Sequence, residues 1–164
     1  MTGVRPPAGW TGQALLLIAV AALLGALAQT FSPTRIPWKE DRSRYVESKA
    51  LAAGLALANL EDVQRMVRDQ SHLLLDARPV ADYDRGHLPG AFSLPQTDLD
   101  TYYPQILPLL SASQPLLVYC SGQECDESFL LSLYLREQGF TNIALFVGGY
   151  LTWQAAEATP EGLQ

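Results

Sequence analysis

From about residue 55 onward, short apolar runs alternate with amphipathic stretches, and that alternation predicts most of the elements. Leu55 to Ala58 reads as a first strand. Asn59 with Asp62 three positions later is a helix start over LEDVQRMVRDQ, because a short polar side chain can accept from the third amide of the helix. HLLLDA reads as a buried strand ending at Asp76, GAFSLP as a short strand closed by Pro95, and PLLVYC as a third strand whose last residue is Cys120. SFLLSLYLREQG has helical periodicity and is stopped by Gly139, and NIALFVGG supplies the last strand. Strands interleaved with helices form βαβ units, so the predicted class is α/β, a mostly parallel sheet flanked by helices. Ligands of such sheets bind at the carboxyl ends of the strands, which is where Cys120 falls.

The N-terminal third follows a different pattern. Ala14 to Ala28 is an apolar run that reaches, with Thr11, Gln13, Gln29 and Thr30, the ~20 residues of a membrane helix. The predicted organisation is a tail at 1–12, a single transmembrane anchor at 13–31, a juxtamembrane linker at 32–54, a folded domain at 55–160 and a tail at 161–164. The alternative for the anchor is a cleaved signal peptide, since Ala26-Leu27-Ala28 fits the small-x-small pattern, although a single Arg makes a poor leading region. Arg35, Lys39, Arg42, Arg44 and Lys49 follow the run and only Arg5 precedes it, so the positive-inside rule puts the domain in the cytoplasm; the extracytoplasmic or periplasmic side is the alternative. Pro33 and Pro37 end the helix, and Asp41 to Ala53 allows a short helix before the domain.

Composition narrows the chemistry. The chain has 164 residues, 48% of them hydrophobic, enough for one core. A formal charge of -6 with no basic stripe argues against a nucleic-acid partner. The two cysteines, Cys120 and Cys125, make neither a secreted disulfide framework nor a zinc site with ordinary ligand spacing, so no metal is expected. The loop lacks the Gly-Lys-Ser/Thr ending of a phosphate-binding P-loop.

A cysteine that follows a strand and precedes a helix sits where backbone amides converge, and such a position favours thiolate over thiol. Gly122 gives the loop the freedom to form a ring of amides around an anion or a persulfide. On this reading Cys120 is the nucleophile, and Ser121, Gly122, Gln123, Glu124 and Asp126 form the substrate-binding loop.

The chain resembles the rhodanese homology domain over roughly residues 55–160. LLLDARPVADYDRGHLPGAFSLP is similar to that family's first signature, through Asp76-Ala77-Arg78, Tyr83 and Gly86 to Ala91. LLVYCSG resembles the active-site strand and loop, with Cys120 at the persulfide-carrying position, and GFTNIALFVGGYLTW resembles the C-terminal signature, where Gly148-Gly149-Tyr150 and Trp153 pack under the site. The resemblance implies a rhodanese-type fold and transfer of sulfur from a small donor to a thiol or cyanide-like acceptor, with neither metal nor organic cofactor. Asp76 and Arg78 are candidate pocket supports, though an Asp ending a buried strand ordinarily bonds neighbouring amides. His87 is read as bonding within its turn, His72 as without a partner in view, and Trp153 and Tyr150 as core or pocket wall.

This loop departs from the family pattern. No Arg or Lys occurs from Ser121 to Glu127, while Glu124, Asp126 and Glu127 are acidic. Asp126, Glu127 and Ser128 are candidate caps of the following helix. Cys125 is a candidate resolving thiol, able to reach Cys120 across a tight loop, or else a small core residue. The competing function is a tethered sulfur-binding or redox-sensing module that turns over little. A phosphatase or arsenate reductase on the same fold would need an Arg to grip the oxyanion, and the loop has none.

Overall fold

A computed structural model describes residues 10–31 and 44–158, with side chains described for 12–28 of the first stretch. The chain divides into two compact units, Met1–Glu40 and Asp41–Gln164. The first contains helix α1, Trp10–Phe31. Leu15, Leu17 and Leu23 are each more than 60% exposed among the described residues. The sequence predicts a transmembrane helix here, and this is corrected: among the described residues no helix is long and apolar enough to cross a membrane. Arg5, Pro33, Arg35, Pro37, Lys39 and Arg42, which carry the predicted spacer and orientation, lie outside the described residues, as does the tail at 161–164.

The second unit is built on a sheet of five parallel strands in the order β1-β5-β4-β2-β3. These are β1 Ala56–Leu57, β2 Leu73–Asp76, β3 Phe92–Ser93, β4 Leu116–Tyr119 and β5 Ile143–Phe146. Every residue of the central β4 is buried, as expected of a continuous apolar run in a sheet covered on both faces. Alternation of side chains divides that strand between two cores. Leu116 and Val118 join Val46 and Ala50 of α2 (Tyr45–Ala52), Ile106 of α5 (Leu99–Ile106), and Leu131 and Leu135 of α6 (Glu127–Glu137). Leu117 and Tyr119 join Val63 of α3 (Leu60–Asp69) and Trp153 of α7 (Gly149–Glu157) on the other face. The packing of the unit therefore begins at α2, upstream of residue 55.

Local chemistry accounts for several boundaries. Asn59 and Asp62 form a reciprocal capping box at the start of α3, as their spacing predicts. Gly139 takes a φ of 95° just beyond α6, a conformation that only glycine adopts without strain. Helix α5 was not legible, because Pro104 lies inside it and argues against a helix. A further short helix, α4 (Val80–Tyr83), sits between β2 and β3.

Candidate active site

Three neighbouring strands end level, with Asp76, Tyr119 and Phe146 in register across β2, β4 and β5. Cys120 is the first residue beyond that edge rather than the last of the strand. Its carbonyl turns away from the ladder and accepts from the amide of Tyr150 at 2.8 Å, and the carbonyl of Ser121 accepts from Leu151 at 3.0 Å. The first turn of α7 thus holds the root of the loop. Gly149 makes this approach possible: it has a φ of 62°, and a Cβ there would lie 2.5 Å from the carbonyl oxygen of Cys120 and 2.6 Å from the nitrogen of Gly122.

Past that root, the amide of Cys125 donates to the carbonyl of Gly122 at 3.1 Å, closing a tight turn. Cys120 and Cys125 are joined by a disulfide, their Cα atoms 6.3 Å apart. The expected ring of donors around the Cys120 sulfur is not what this geometry shows. The atoms facing Sγ are carbonyl oxygens, that of Cys125 at 3.3 Å and that of Gly122 at 3.9 Å. A disulfide sulfur has no proton to donate to them; they become acceptors only when the thiol re-forms. The turn that brings Cys125 back to Cys120 is what points these carbonyls inward.

The loop borders an open cavity of about 420 Å³, lined by Ser121, Gly122, Gln123, Glu124, Cys125, Glu127 and Leu151. Cys120 is not part of that lining and is only 1% exposed, so in the oxidised state its sulfur is reached through Cys125. Oε2 of Glu127 lies 2.6 Å from Sγ of Cys125. Both sulfurs and this carboxylate fall within 4.8 Å of one another. That spacing would suit a metal ion if both sulfurs were thiolates, but here they are bonded to each other.

Asp126 stands at the cap position of α6 yet makes no capping hydrogen bond with its side chain. It pairs instead with Lys49 of α2, Nζ to Oδ1 3.3 Å, and the ammonium lies over the rings of Tyr45 and Phe129 at 4.7 and 5.0 Å. A cation missing from the loop sequence is therefore brought to the loop from a segment far upstream. Its only signal in the sequence is the i, i+4 spacing of Tyr45 and Lys49, which puts them on one helix face and says nothing of Asp126. Ser128 is buried and accepts, through its carbonyl, from the hydroxyl of Ser132.

Asp76 and Arg78 do not line the loop cavity. They form a buried bidentate pair, Nη2 to Oδ2 2.6 Å and Nε to Oδ1 3.0 Å, and Arg78 also donates to the carbonyl of Gly86 at 2.7 Å. Burial opposes the guanidinium charge, but the hydrogen bonds and charge of Asp76 outweigh it and hold Arg78 above its ordinary range. The guanidinium lies 4.3 Å from the Tyr150 ring, tying this pair to α7. Burial, aided by the charge of Asp76, pushes the Tyr119 phenol far up, so it stays neutral; its oxygen accepts from the amide of Leu88 at 3.1 Å. His87 stacks on Tyr83 and its Nδ1 lies 3.0 Å from that residue's carbonyl, a local role as read from the sequence. His72, expected without a partner, meets Ser71 Oγ at 2.9 Å, and burial lowers its pKa. It borders a cavity of about 350 Å³ at the opposite, amino-terminal end of the strands, with Gln114 and Pro89; no cysteine reaches it.

Comparison with known proteins gives the same frame. The model of the rhodanese-like domain matches residues 59–156. The chain belongs to the rhodanese-like family. The matched stretch includes both cysteines, the Asp76–Arg78 pair and α7 up to Ala156. Thiosulfate sulfurtransferase GlpE of Coxiella burnetii is 27% identical over 96 residues, which cover 58% of this chain and 84% of that protein. Among solved structures, the human single-domain sulfurtransferase TSTD1 has a TM-score of 0.52 at 19% identity, covering 62% of this chain and 97% of that one. The thiosulfate sulfurtransferase of Pseudomonas aeruginosa has a TM-score of 0.56 at 19% identity, covering 72% of this chain and 22% of that one. At these identities the two structures speak for the fold.

Proposed function

We propose that this rhodanese-like protein is a sulfurtransferase that carries sulfur as a persulfide on Cys120. The observation that carries the reading is the position of Cys120, the first residue past the central strand of a parallel sheet, where ligands of such folds bind. Thiosulfate sulfurtransferases among its relatives support the same chemistry. In the reduced protein the Cys120 thiolate attacks the outer sulfur of a donor such as thiosulfate, the donor's S–S bond breaks, sulfite leaves, and Cys120 holds the persulfide. A thiol or cyanide then removes the outer sulfur and restores the thiolate. Lys49 supports this by offsetting the negative charge of Asp126 beside the loop.

The second reading, a sulfur-binding or redox-sensing module with little turnover, is favoured by the Cys120–Cys125 disulfide. One assay separates the two. The reduced full-length chain is given thiosulfate, mercaptopyruvate or glutathione persulfide with cyanide, and thiocyanate is measured. Turnover that vanishes in Cys120→Ser supports the transferase. A Cys120 adduct without turnover on any donor supports the sensor.

Membrane attachment through α1 belongs to the same proposal. Its support is the exposed surface of Leu15, Leu16, Leu17, Ile18, Leu23 and Leu24, which water does not favour. Recovery of the full chain in a carbonate-washed supernatant would remove the attachment, and a compartment-sensitive reporter at the C-terminus reads the side.

A further inference from the structure

The two sulfurs of the loop have unequal surroundings. Cys120 is buried and absent from the cavity wall, whereas Cys125 lines the cavity beside Glu127, whose carboxylate oxygen is 2.6 Å from the Cys125 sulfur. Transfer to an external acceptor uses neither Cys125 nor Glu127. Building on the sulfurtransferase reading, we propose that Cys125 resolves the Cys120 persulfide within the same loop, with Glu127 taking its proton, so that sulfur leaves as hydrogen sulfide and a dithiol regenerates the enzyme.

The steps balance. Once the donor has left the persulfide on Cys120, Sγ of Cys125 attacks Sγ of Cys120, and the bond from that sulfur to the outer sulfur breaks. The electron pair leaves with the outer sulfur as hydrosulfide. The Cys125 proton passes to Glu127 and on to the hydrosulfide, which departs as hydrogen sulfide. The outer sulfur is reduced to sulfide while the two cysteines are oxidised to the Cys120–Cys125 disulfide found here. A dithiol then supplies two electrons and two protons and becomes a disulfide itself. It attacks Cys125, the sulfur that faces the cavity, so that Cys120 is the leaving thiolate and is ready for the next donor.

Glu127 has two opposed effects on this step. A carboxylate beside a thiol disfavours a free thiolate, yet it is placed to accept the proton as the new S–S bond forms. The two predict opposite signs for Glu127→Gln. If the proton transfer dominates, removing the carboxylate slows resolution; if repulsion dominates, it accelerates it.

The test is a single turnover of the reduced full-length chain, freed of reductant and mixed with thiosulfate or glutathione persulfide in the absence of cyanide. Sulfide is trapped and quantified, and intact mass reports the protein. The wild type is expected to release one sulfide per chain and lose two hydrogens. Cys125→Ser, checked against Cys125→Ala, is expected to retain one added sulfur and release none. Glu127→Gln is expected to give the wild-type products about a hundred-fold more slowly, with a displaced pH profile. A wild type that keeps its added sulfur without releasing sulfide overturns resolution in the loop and leaves the transferase reading standing. Failure of Cys125→Ser and Cys125→Ala to acquire sulfur overturns the transferase reading itself. Release by Glu127→Gln at or above the wild-type rate overturns the role of Glu127.

Discussion

Two connections leave adjacent strands at the same edge of the sheet and are held by different means. The one after β2 is fixed by polar groups that are fully matched: the Asp76–Arg78 fork, the Arg78 bond to Gly86, and the Tyr83 hydroxyl donating to the carbonyl of Ala91 at 2.7 Å. The one after β4 is held at its root by two α7 amides and beyond it by one turn bond and a disulfide. The first set of bonds persists in any redox state. The second contains a covalent bond that a reductant removes. Neighbouring strand ends are thus secured by two kinds of bond, one of them reversible by a reductant.

The largest effect expected from this contrast is on the rigid side. Arg78→Met leaves the buried Asp76 carboxylate without its countercharge, keeping only the backbone amide of residue 78 as a donor from that position, with a cost of about 3–5 kcal/mol. Urea unfolding of the full chain measures it, and a change below ~1 kcal/mol would show that the fork is not what secures this connection. The disulfide side should respond less. Reducing the disulfide frees a short loop and should lower stability by about 2 kcal/mol on the chain-entropy account. Comparing the reduced and oxidised wild type with Cys125→Ser tests this, because the variant should match the reduced protein and ignore reductant. The smallest effect is that of Lys49→Gln. Its ion pair with Asp126 is partly exposed and should contribute less than about 1 kcal/mol to stability. The KM for thiosulfate should nonetheless rise several-fold with kcat little changed, and Lys49→Arg should restore it; an unchanged KM would confine Lys49 to packing.

Much of the frame was legible because it depends on local pattern. Apolar runs bounded by turn residues identified the strands, and Asn59 with Asp62 identified a cap, since each feature is decided by residues a few positions apart. What escaped depends on distance or direction. Lys49 and Asp126 are neighbours only because α2 packs against α6. The direction of the loop's peptide groups is set by the turn from Gly122 to Cys125, so a loop that sequence presents as a set of donors places carbonyls against the sulfur. Helix α5 was hidden by Pro104, where tertiary packing of Ile106 outweighs the local penalty. Asp76 and Arg78 were legible as candidate pocket supports, but their pairing with each other was not, and they belong to the frame rather than the cavity.

The crowding at Gly149 limits how the loop can move. With no space for even a methyl group beneath Cys120 and Gly122, the peptide there rests on a hard stop. Breaking the sulfur–sulfur bond removes the cross-link that closes the tip at Gln123 and Glu124, while the two α7 amides still fix the root.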